Sequence, residues 1–289
     1  MRFSAEILLN SDRPIIPSDY HRNILSLLKE AIKTNQNGTE IHEKHFIKDE
    51  RKIKPFTFAV SFKADQIQNV KGTIRLVEPW LNLHFSASDP VLFKYVYDGL
   101  LQLQKDYPLF PELKSKIGPL YCPECLLLRC AGCKIKVTIG QVNLEPKKII
   151  REGEMLFRTC SPAIVPDNDE SGGPSGCVTP DSPVFEDKLY SCVKSMCQVL
   201  LDNEPELARK DFAAEFTDFE KVHIYYTNQG RSWSGEKELI EATAGIIRIK
   251  APMPVLQLIY NAGLGSKCSE GFGMLEIMVN SSSKCTSFS

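Results

Sequence analysis

Apolar residues in the first half of the chain recur at two spacings, that of a strand and that of a helix. They alternate with polar residues where a strand is predicted, and they recur every three or four positions where a helix is predicted. Ser18 is the predicted N-cap of the first helix, and Asp89 followed by Pro90 marks the start of the second. The predicted elements are a strand over 2–10, a helix over 18–34, strands over 54–64 and 72–87, a helix over 89–106 and a strand over 134–146. This order is that of a ferredoxin-like βαββαβ unit.

The same order of elements recurs in the second half. A polar, Gly/Pro-rich loop at 166–183 separates the first predicted strand from the helix that follows it. The predicted elements are a strand over 154–165, a helix over 184–203, strands near 211–226 and 242–252, a helix over 254–263 and a strand over 273–280. The sequence therefore predicts an α+β fold of two tandem ferredoxin-like, or RRM-like, domains with a C-terminal glycine-rich loop. We assign residues 1–148 to the first domain and 149–280 to the second, with a disordered tail at 281–289.

The composition is that of a globular protein. Hydrophobic residues make up 43% and charged residues 25% of the 289 positions, which is the usual balance for this class. The apolar runs are shorter than the roughly 18 residues that a transmembrane helix needs. The start MRFSAEILLNSDRP is charged and lacks the apolar core of a signal peptide. We therefore expect a cytoplasmic protein without a membrane partner.

Charge is unevenly distributed between the two halves. Residues 1–150 contain 22 Lys and Arg against 16 Asp and Glu, whereas residues 151–289 contain 13 against 20. The segment 44–54, KHFIKDERKIK, concentrates basic residues around one aromatic residue, as RNA-binding surfaces do. A solvated loop has the same composition, so charge alone does not separate the two interpretations.

Four glycines form two Gly–apolar–Gly pairs in GLGSKCSEGFG, residues 263–273, between the last predicted helix and the last predicted strand. The spacing differs from that of a P-loop, and the segment does not open a helix after a strand as a dinucleotide-binding motif does. Clustered glycines form tight turns, or they let backbone N–H groups approach a polyanion closely. The loop by itself is compatible with both roles.

Ten cysteines are many for a protein in a reducing compartment, where disulfides are rare. Four of them, Cys122, Cys125, Cys130 and Cys133, form a C-x2-C-x4-C-x2-C pattern. Paired thiolates at this spacing suit a structural zinc ion or an iron–sulfur cluster. The four-residue connector is short for a zinc module, and free buried thiols explain the pattern equally well.

Several stretches along the chain are together similar to one protein family. They are MRFSAEILL at the start, IHEKHFIKDERKIKPFTF, FRTCSPAIV, and GLGSKCSEGFGMLEI near the end. With them the chain resembles the CRISPR-associated repeat-processing endoribonucleases of the repeat-associated RNA-binding superfamily, and the last stretch is similar to that superfamily's pattern G-x-G-x5-G-x-G. The resemblance implies tandem ferredoxin-like domains that hold CRISPR repeat RNA along a cleft, with the glycine loop beside the RNA. If the glycines serve RNA, a Cβ at Gly271 or Gly273 is expected to weaken binding more than folding.

The resemblance also implies metal-independent cleavage, in which the RNA 2′-hydroxyl attacks the adjacent phosphate and leaves a cyclic phosphate. It assigns His42 as the general acid or base and Lys54 as the charge that stabilises the transition state. Lys29 occupies the position of a tyrosine that completes the site in some relatives. His45 is the rival of His42, and His21 is expected to be structural. The residues expected to contact RNA phosphates are Arg51, Lys52, Gly263, Gly265, Lys267, Gly271 and Gly273.

Two other interpretations stay open. The chain is alternatively a non-catalytic RNA-binding subunit of a CRISPR ribonucleoprotein, with other effector subunits as its partners. A third interpretation is a metal-dependent protein in which the cysteines act. The presence of His42 together with Lys54 favours the enzyme, for which no catalytic cofactor is expected. The sequence leaves open whether the chain forms a homodimer.

Overall fold

The structure, a computed structural model, contains two four-stranded antiparallel sheets, one in each half of the chain, and a three-stranded sheet in the first half. It describes residues 1–9, 15–47, 53–68, 73–103, 137–167, 176–201, 206–227 and 237–278. The predicted α+β fold of two ferredoxin-like units is confirmed. Among the described residues, no helix is long and apolar enough to cross a membrane.

The first half builds its main sheet in the order β3-β6-β1-β7. Its described elements are β1 (Arg2–Leu9), β2 (Ile15–Pro17), α1 (His21–Lys33), α2 (Gly38–His42), a π-helical turn (Glu43–Ile47), β3 (Phe56–Ser61), β4 (Ala64–Gln68), β5 (Thr73–Leu76), β6 (Trp80–Ala87), α3 (Pro90–Gln102) and β7 (Val137–Leu144). Phe3, Phe58 and Phe85 from neighbouring strands are fully enclosed. Together with the apolar faces of α1 and α3 they form one core.

The second half builds its sheet in the order β11-β8-β10-β9. Its described elements are β8 (Glu154–Thr159), α4 (Phe185–Leu200), a 3-10 turn (Arg209–Asp211), β9 (Ala213–Thr227), β10 (Lys237–Lys250), α5 (Met253–Ala262), a second 3-10 turn (Cys268–Glu270) and β11 (Leu275–Ile277). In each half the sheet places the first and third strands at its centre, as a ferredoxin-like unit does. Phe157, Leu189 and Ile247 lie in the core of this half.

The two predicted helix starts have opposite outcomes. Asp89 caps α3 as predicted, and its Oδ1 accepts the backbone N–H groups of Val91 and Leu92 at 2.8 and 3.2 Å. Ser18, in contrast, is not the cap of α1, which begins at His21 after Tyr20 without any side-chain cap. The pairing of β2 with β5 holds the chain extended up to Pro17, so residue 18 lies in the turn that follows rather than at the helix.

Several strand predictions also need correction. Residues 72–87 form two strands in different sheets, since β5 pairs with β2 and β4 whereas β6 pairs with β1 and β3. Pro79, which has no N–H for a sheet ladder, lies in the break between them. The segment 154–165 is a regular strand only to Thr159, and the described part of the last predicted strand, 273–278, is a strand only over Leu275–Ile277. The helical segment 38–47 was not predicted, and the predicted tail at 281–289 lies outside the described residues.

Candidate functional site

His42 lies at the end of α2 and stacks on Phe46 in the π-helical turn that follows. The two ring centroids are 5.3 Å apart and the ring planes differ by 19°. Side chains four residues apart share one face of a helical segment, which brings these two rings together. Phe46 is buried and contacts Phe56 of β3, so the stack is anchored in the core of the first half. The orientation of His42 is therefore fixed by packing.

Two lysines approach the same phenyl ring. The Nζ of Lys29, on α1, lies 5.2 Å from the Phe46 centroid, and the Nζ of Lys54, just before β3, lies 5.7 Å from it. A cation is attracted to the electron-rich face of an aromatic ring at such distances. Phe46 therefore gathers the three residues His42, Lys29 and Lys54 from separate parts of the chain. These are the three that the family resemblance singled out.

The environment of His42 favours its neutral form. Its pKa lies below the usual histidine value because burial disfavours the imidazolium, and the positive charges of Lys33 and Lys29 add repulsion. Glu30 and Glu43 act in the opposite direction but with less effect. At neutral pH the imidazole therefore has a free lone pair, as a general base needs.

His45, the rival candidate, faces a different partner. Its Nε2 lies 3.6 Å from Oδ2 of Asp89, the residue that caps α3. Both residues line an open cavity of about 610 Å³ between the two halves of the chain, and Lys54 forms part of the same wall. The opposite wall consists of the end of α4 and one face of α5. We call His42, Lys29 and Lys54, together with the Phe46 ring that they surround, the Phe46 cluster. Lys54 thus belongs to this cluster and also lines the cavity.

The glycine-rich loop has a backbone that depends on glycine. Gly263, Gly265, Gly271 and Gly273 all have positive φ values, between 67° and 99°. An added Cβ at Gly265 would lie 2.4 Å from the carbonyl oxygen of Ile164, and one at Gly273 would lie 2.0 Å from that of Leu264. All four positions therefore have a folding role, whether or not they contact RNA.

The loop also joins the two halves of the protein. The Thr57 hydroxyl of β3 donates a hydrogen bond of 2.8 Å to the carbonyl oxygen of Phe272. The Phe272 ring stacks on His21 at 4.8 Å between centroids. A Cβ at Gly271 would lie 2.6 Å both from Nδ1 of His21 and from Cε2 of Phe58. The loop consequently packs tightly against α1 and β3 of the first half.

A second contact between the halves runs through Arg2. Its guanidinium lies 3.5 Å from the centroid of the Tyr260 ring on α5 and pairs with Glu276 of β11 at 3.3 Å. Burial lowers the pKa of Arg2 from its usual value. Strand β1 is thereby fixed to α5 and β11 of the C-terminal half.

His21 is packed inside the fold, which is consistent with the structural role expected from the sequence. Its ring lies between Tyr20, with centroids 4.2 Å apart, and Phe272. The Nδ1 atom is buried and makes no hydrogen bond within the described part of the chain. Burial lowers the pKa of His21 to about 4. The neutral imidazole thus forms part of the interface between α1 and the glycine loop.

Because His21 is buried in its neutral form, we expect acid to lower the free energy of unfolding. Because the pKa of His21 is about 4 in the folded state and 6.5 unfolded, its stabilising effect is complete above pH 6.5 and is lost as the pH falls towards 4. The loss amounts to about 3 kcal/mol. Urea unfolding at pH 7.5 and 4.5 measures it. His21→Phe keeps a ring in the stack but does not titrate, so its stability should fall less over this range. An equal fall in both proteins would contradict the assignment.

The other residues proposed from the sequence lie either outside the described residues or in the glycine-rich loop. Arg51, Lys52 and the cysteines 122, 125, 130 and 133 lie outside the described residues, so the zinc proposal stays a prediction. Lys267 lies in the glycine loop with a φ of 56°. Over the ranges that the structure describes, no three His, Cys, Asp or Glu side chains group closely enough to hold a metal ion.

Sequence reasoning missed three contributors to the site. Phe46 was counted as one aromatic residue in a basic segment, although its spacing of four from His42 predicts a contact once the segment is known to be helical. Lys33 acts on His42 through its charge. Asp89 was recognised as a helix cap, but its position beside His45 depends on how α3 packs, which no local pattern gives.

Comparison with solved structures shows the class to which the fold belongs. A structure described as an RAMP protein binding different RNA substrates is 19% identical, with a TM-score of 0.69 over 96% of this chain and 100% of that one. A Cas6-related protein from Pyrococcus furiosus is 20% identical, with a TM-score of 0.71 over 96% and 98%. A Cas6 product complex is 15% identical, with a TM-score of 0.58 over 96% and 100%. At these identities the likeness shows the fold of the RAMP and Cas6 proteins.

The C-terminal half also matches a family model at the level of sequence. Residues 144–277 match the family described as CRISPR associated protein Cas6, C-terminal. This half of the chain is therefore similar to the Cas6 C-terminal domain, and the family resemblance stated from the sequence is confirmed by this match. No curated protein gave a significant match.

Proposed function

We propose that the protein is an endoribonuclease that cuts CRISPR repeat RNA within its repeats, without a catalytic metal, to give guide RNAs. The observation that most directly supports this is the cluster of His42, Lys29 and Lys54 around the buried Phe46 ring. A group that transfers protons beside two fixed cations provides what cleavage through the 2′-hydroxyl requires. The Cas6 C-terminal family match and the shared fold of a Cas6 product complex support the same substrate class.

The proposed reaction uses each member of the cluster. The neutral imidazole of His42 accepts the proton of the 2′-hydroxyl as the 2′-oxygen attacks phosphorus. The bond from phosphorus to the 5′-oxygen breaks, and the products are a 2′,3′-cyclic phosphate and a 5′-hydroxyl. Lys29 and Lys54 stabilise the negative charge that builds up on the phosphate oxygens. In this cluster, the ammonium groups of the two lysines also donate the proton that the leaving 5′-oxygen needs.

Cleavage of repeat RNA in excess EDTA is the direct test. We expect full activity in the chelator, and product ends that carry a cyclic phosphate and a 5′-hydroxyl. A single 2′-deoxy substitution on the 5′ side of the cut should abolish cleavage but not binding, because it removes the nucleophile alone.

The other outcomes are equally informative. Cleavage of the deoxy substrate, or activity that returns only with added magnesium, would refute the mechanism. Tight binding without cleavage of either RNA would instead favour the non-catalytic RNA-binding subunit.

A further inference from the structure

The cavity between the two halves of the chain has the features of a site for one nucleotide. We propose that it binds the nucleotide next to the scissile phosphate and that it prefers guanine. This inference rests on the proposed function and adds a determinant of substrate specificity to it. It uses the described residues around the cavity, chiefly His45, Lys54, Asp89 and Leu201.

The dimensions and the lining suit a nucleobase. A volume of about 610 Å³ lies within the range of small-ligand sites. The lining includes apolar side chains from both walls, Pro55 from the first half and Leu201 and Pro254 from the second. Single-stranded RNA is recognised by unstacked bases that pack on such surfaces and hydrogen-bond along their edges. Because both halves of the chain form the walls, the site exists only in the assembled two-domain structure.

Asp89 is the residue from which we infer that the cavity prefers guanine. An ionised carboxylate only accepts hydrogen bonds. Its Oδ1 is occupied by the N–H groups of Val91 and Leu92, which hold the side chain in place. Oδ2 lies 3.6 Å from Nε2 of His45, and both residues line the cavity. Guanine offers two adjacent donors, N1–H and N2–H, on its Watson–Crick edge, whereas adenine offers an acceptor at N1.

Lys54 connects the cavity to the chemistry. It lines the cavity, and its Nζ lies 5.7 Å from the centroid of the Phe46 ring on which His42 stacks. A base in the cavity would therefore have its phosphate at the cluster, within reach of the same lysine. Lys44, which is exposed at the cavity rim, adds a second positive charge that can contact the RNA phosphate backbone. The base is thus bound beside the bond that is cut.

Base substitution in the substrate tests the proposal. Once the cut is mapped, each of the two flanking nucleotides is replaced in turn by guanosine, inosine, adenosine and an abasic site. At one of the two positions we expect kcat/KM to fall in that order, with about tenfold or more between guanosine and the abasic site. The Asp89→Asn variant should lose most of this preference while retaining the α3 cap, since asparagine caps helices as well as aspartate does.

Two further variants complete the design. Asp98→Asn removes the same charge from the exposed side of α3, where Asp98 pairs with Lys94, and should keep the guanine preference. Leu201→Trp fills the cavity without altering Asp89, and should reduce the difference between guanosine and the abasic site. Melting temperatures of all three variants identify any loss of folded protein.

The outcomes separate this inference from the proposed function. Cleavage that is insensitive to the base at both positions would overturn the nucleotide site and leave the endoribonuclease intact. The same conclusion follows if the guanine preference is undiminished in Asp89→Asn. Absence of any repeat cleavage by the wild-type protein would overturn the proposed function, and the nucleotide site with it.

Discussion

His42→Ala is expected to cleave repeat RNA about 100- to 10,000-fold more slowly than the wild-type protein, because general acid–base catalysis contributes that much. RNA affinity should be nearly unchanged, since the imidazole is buried against Phe46 and neutral, and so offers little to phosphate binding. Single-turnover cleavage with saturating enzyme measures the rate, and filter binding of the 2′-deoxy RNA measures the affinity.

Two other histidines supply the controls. His223→Ala changes an exposed residue of β9 that pairs with Glu241, and should cleave at the wild-type rate. His45→Ala should slow cleavage less than His42→Ala, because His45 faces Asp89 and the cavity rather than the Phe46 cluster. A large loss of rate in His45→Ala with little loss in His42→Ala would reverse the assignment.

The pH dependence distinguishes a general base from a structural histidine. The neutral form of His42 must accumulate for the reaction, so kcat/KM should rise with pH through the His42 pKa, which lies below the ordinary 6.5, and then level off. Lys33→Gln removes a charge that lowers this pKa, and should move the rise to higher pH. Lys94→Gln, on the exposed face of α3, should not move it. Identical profiles in all three proteins would argue against His42 as the base.

Gly271→Val and Gly273→Val are expected to destabilise the protein by about 2–6 kcal/mol, the sum of backbone strain at positive φ and overpacking of a tight contact. At Gly271 the new Cβ overlaps His21 and Phe58, and at Gly273 it overlaps the backbone of Leu264. The sequence predicts that these substitutions weaken RNA binding more than folding. The contacts in the structure predict instead that they lower the stability of the folded protein. Urea unfolding of each variant gives the free energy directly.

Gly176→Val is the matched control for the loop glycines. Gly176 also has a positive φ, of 56°, but a Cβ there would meet no atom of the described residues within 4 Å. It should therefore show the strain alone, about 1–2 kcal/mol. If Gly271→Val is no less stable than Gly176→Val, the tight packing of the loop against the first half is wrong.

The role of the loop in RNA binding needs a separate test. Lys267→Ala leaves all four glycines in place and should reduce the salt dependence of repeat-RNA affinity by about one phosphate contact. An unchanged salt dependence in this variant would leave the loop with its structural role alone. Because Lys267 already has a φ of 56°, the substitution adds no new backbone strain.

Local patterns in the sequence were sufficient for much of the fold. Asp89 and Pro90 predicted the start of α3 because an N-cap and a first-turn proline act within one helical turn. The apolar spacing of α1 and α4 predicted both helices, since each buries one stripe of side chains. The order of these elements predicted the two ferredoxin-like units. In contrast, the break between β5 and β6 was missed, because both segments have strand-like sequences and only their partners differ.

Through the family resemblance, the sequence alone predicts His42, Lys54 and Lys29 as site residues, and it predicts a need for glycine over 263–273. Where these residues lie relative to one another depends on the tertiary fold. Phe46 brings together three residues that are separated along the chain. The spacing of hydrophobic residues in the sequence does not predict such a contact. The glycines satisfy backbone conformations that the sequence can suggest, but their tight packing against α1 and β3 depends on how the two halves dock. Local conformation is set by neighbours in sequence, whereas the site is set by surfaces that meet only after both halves have folded.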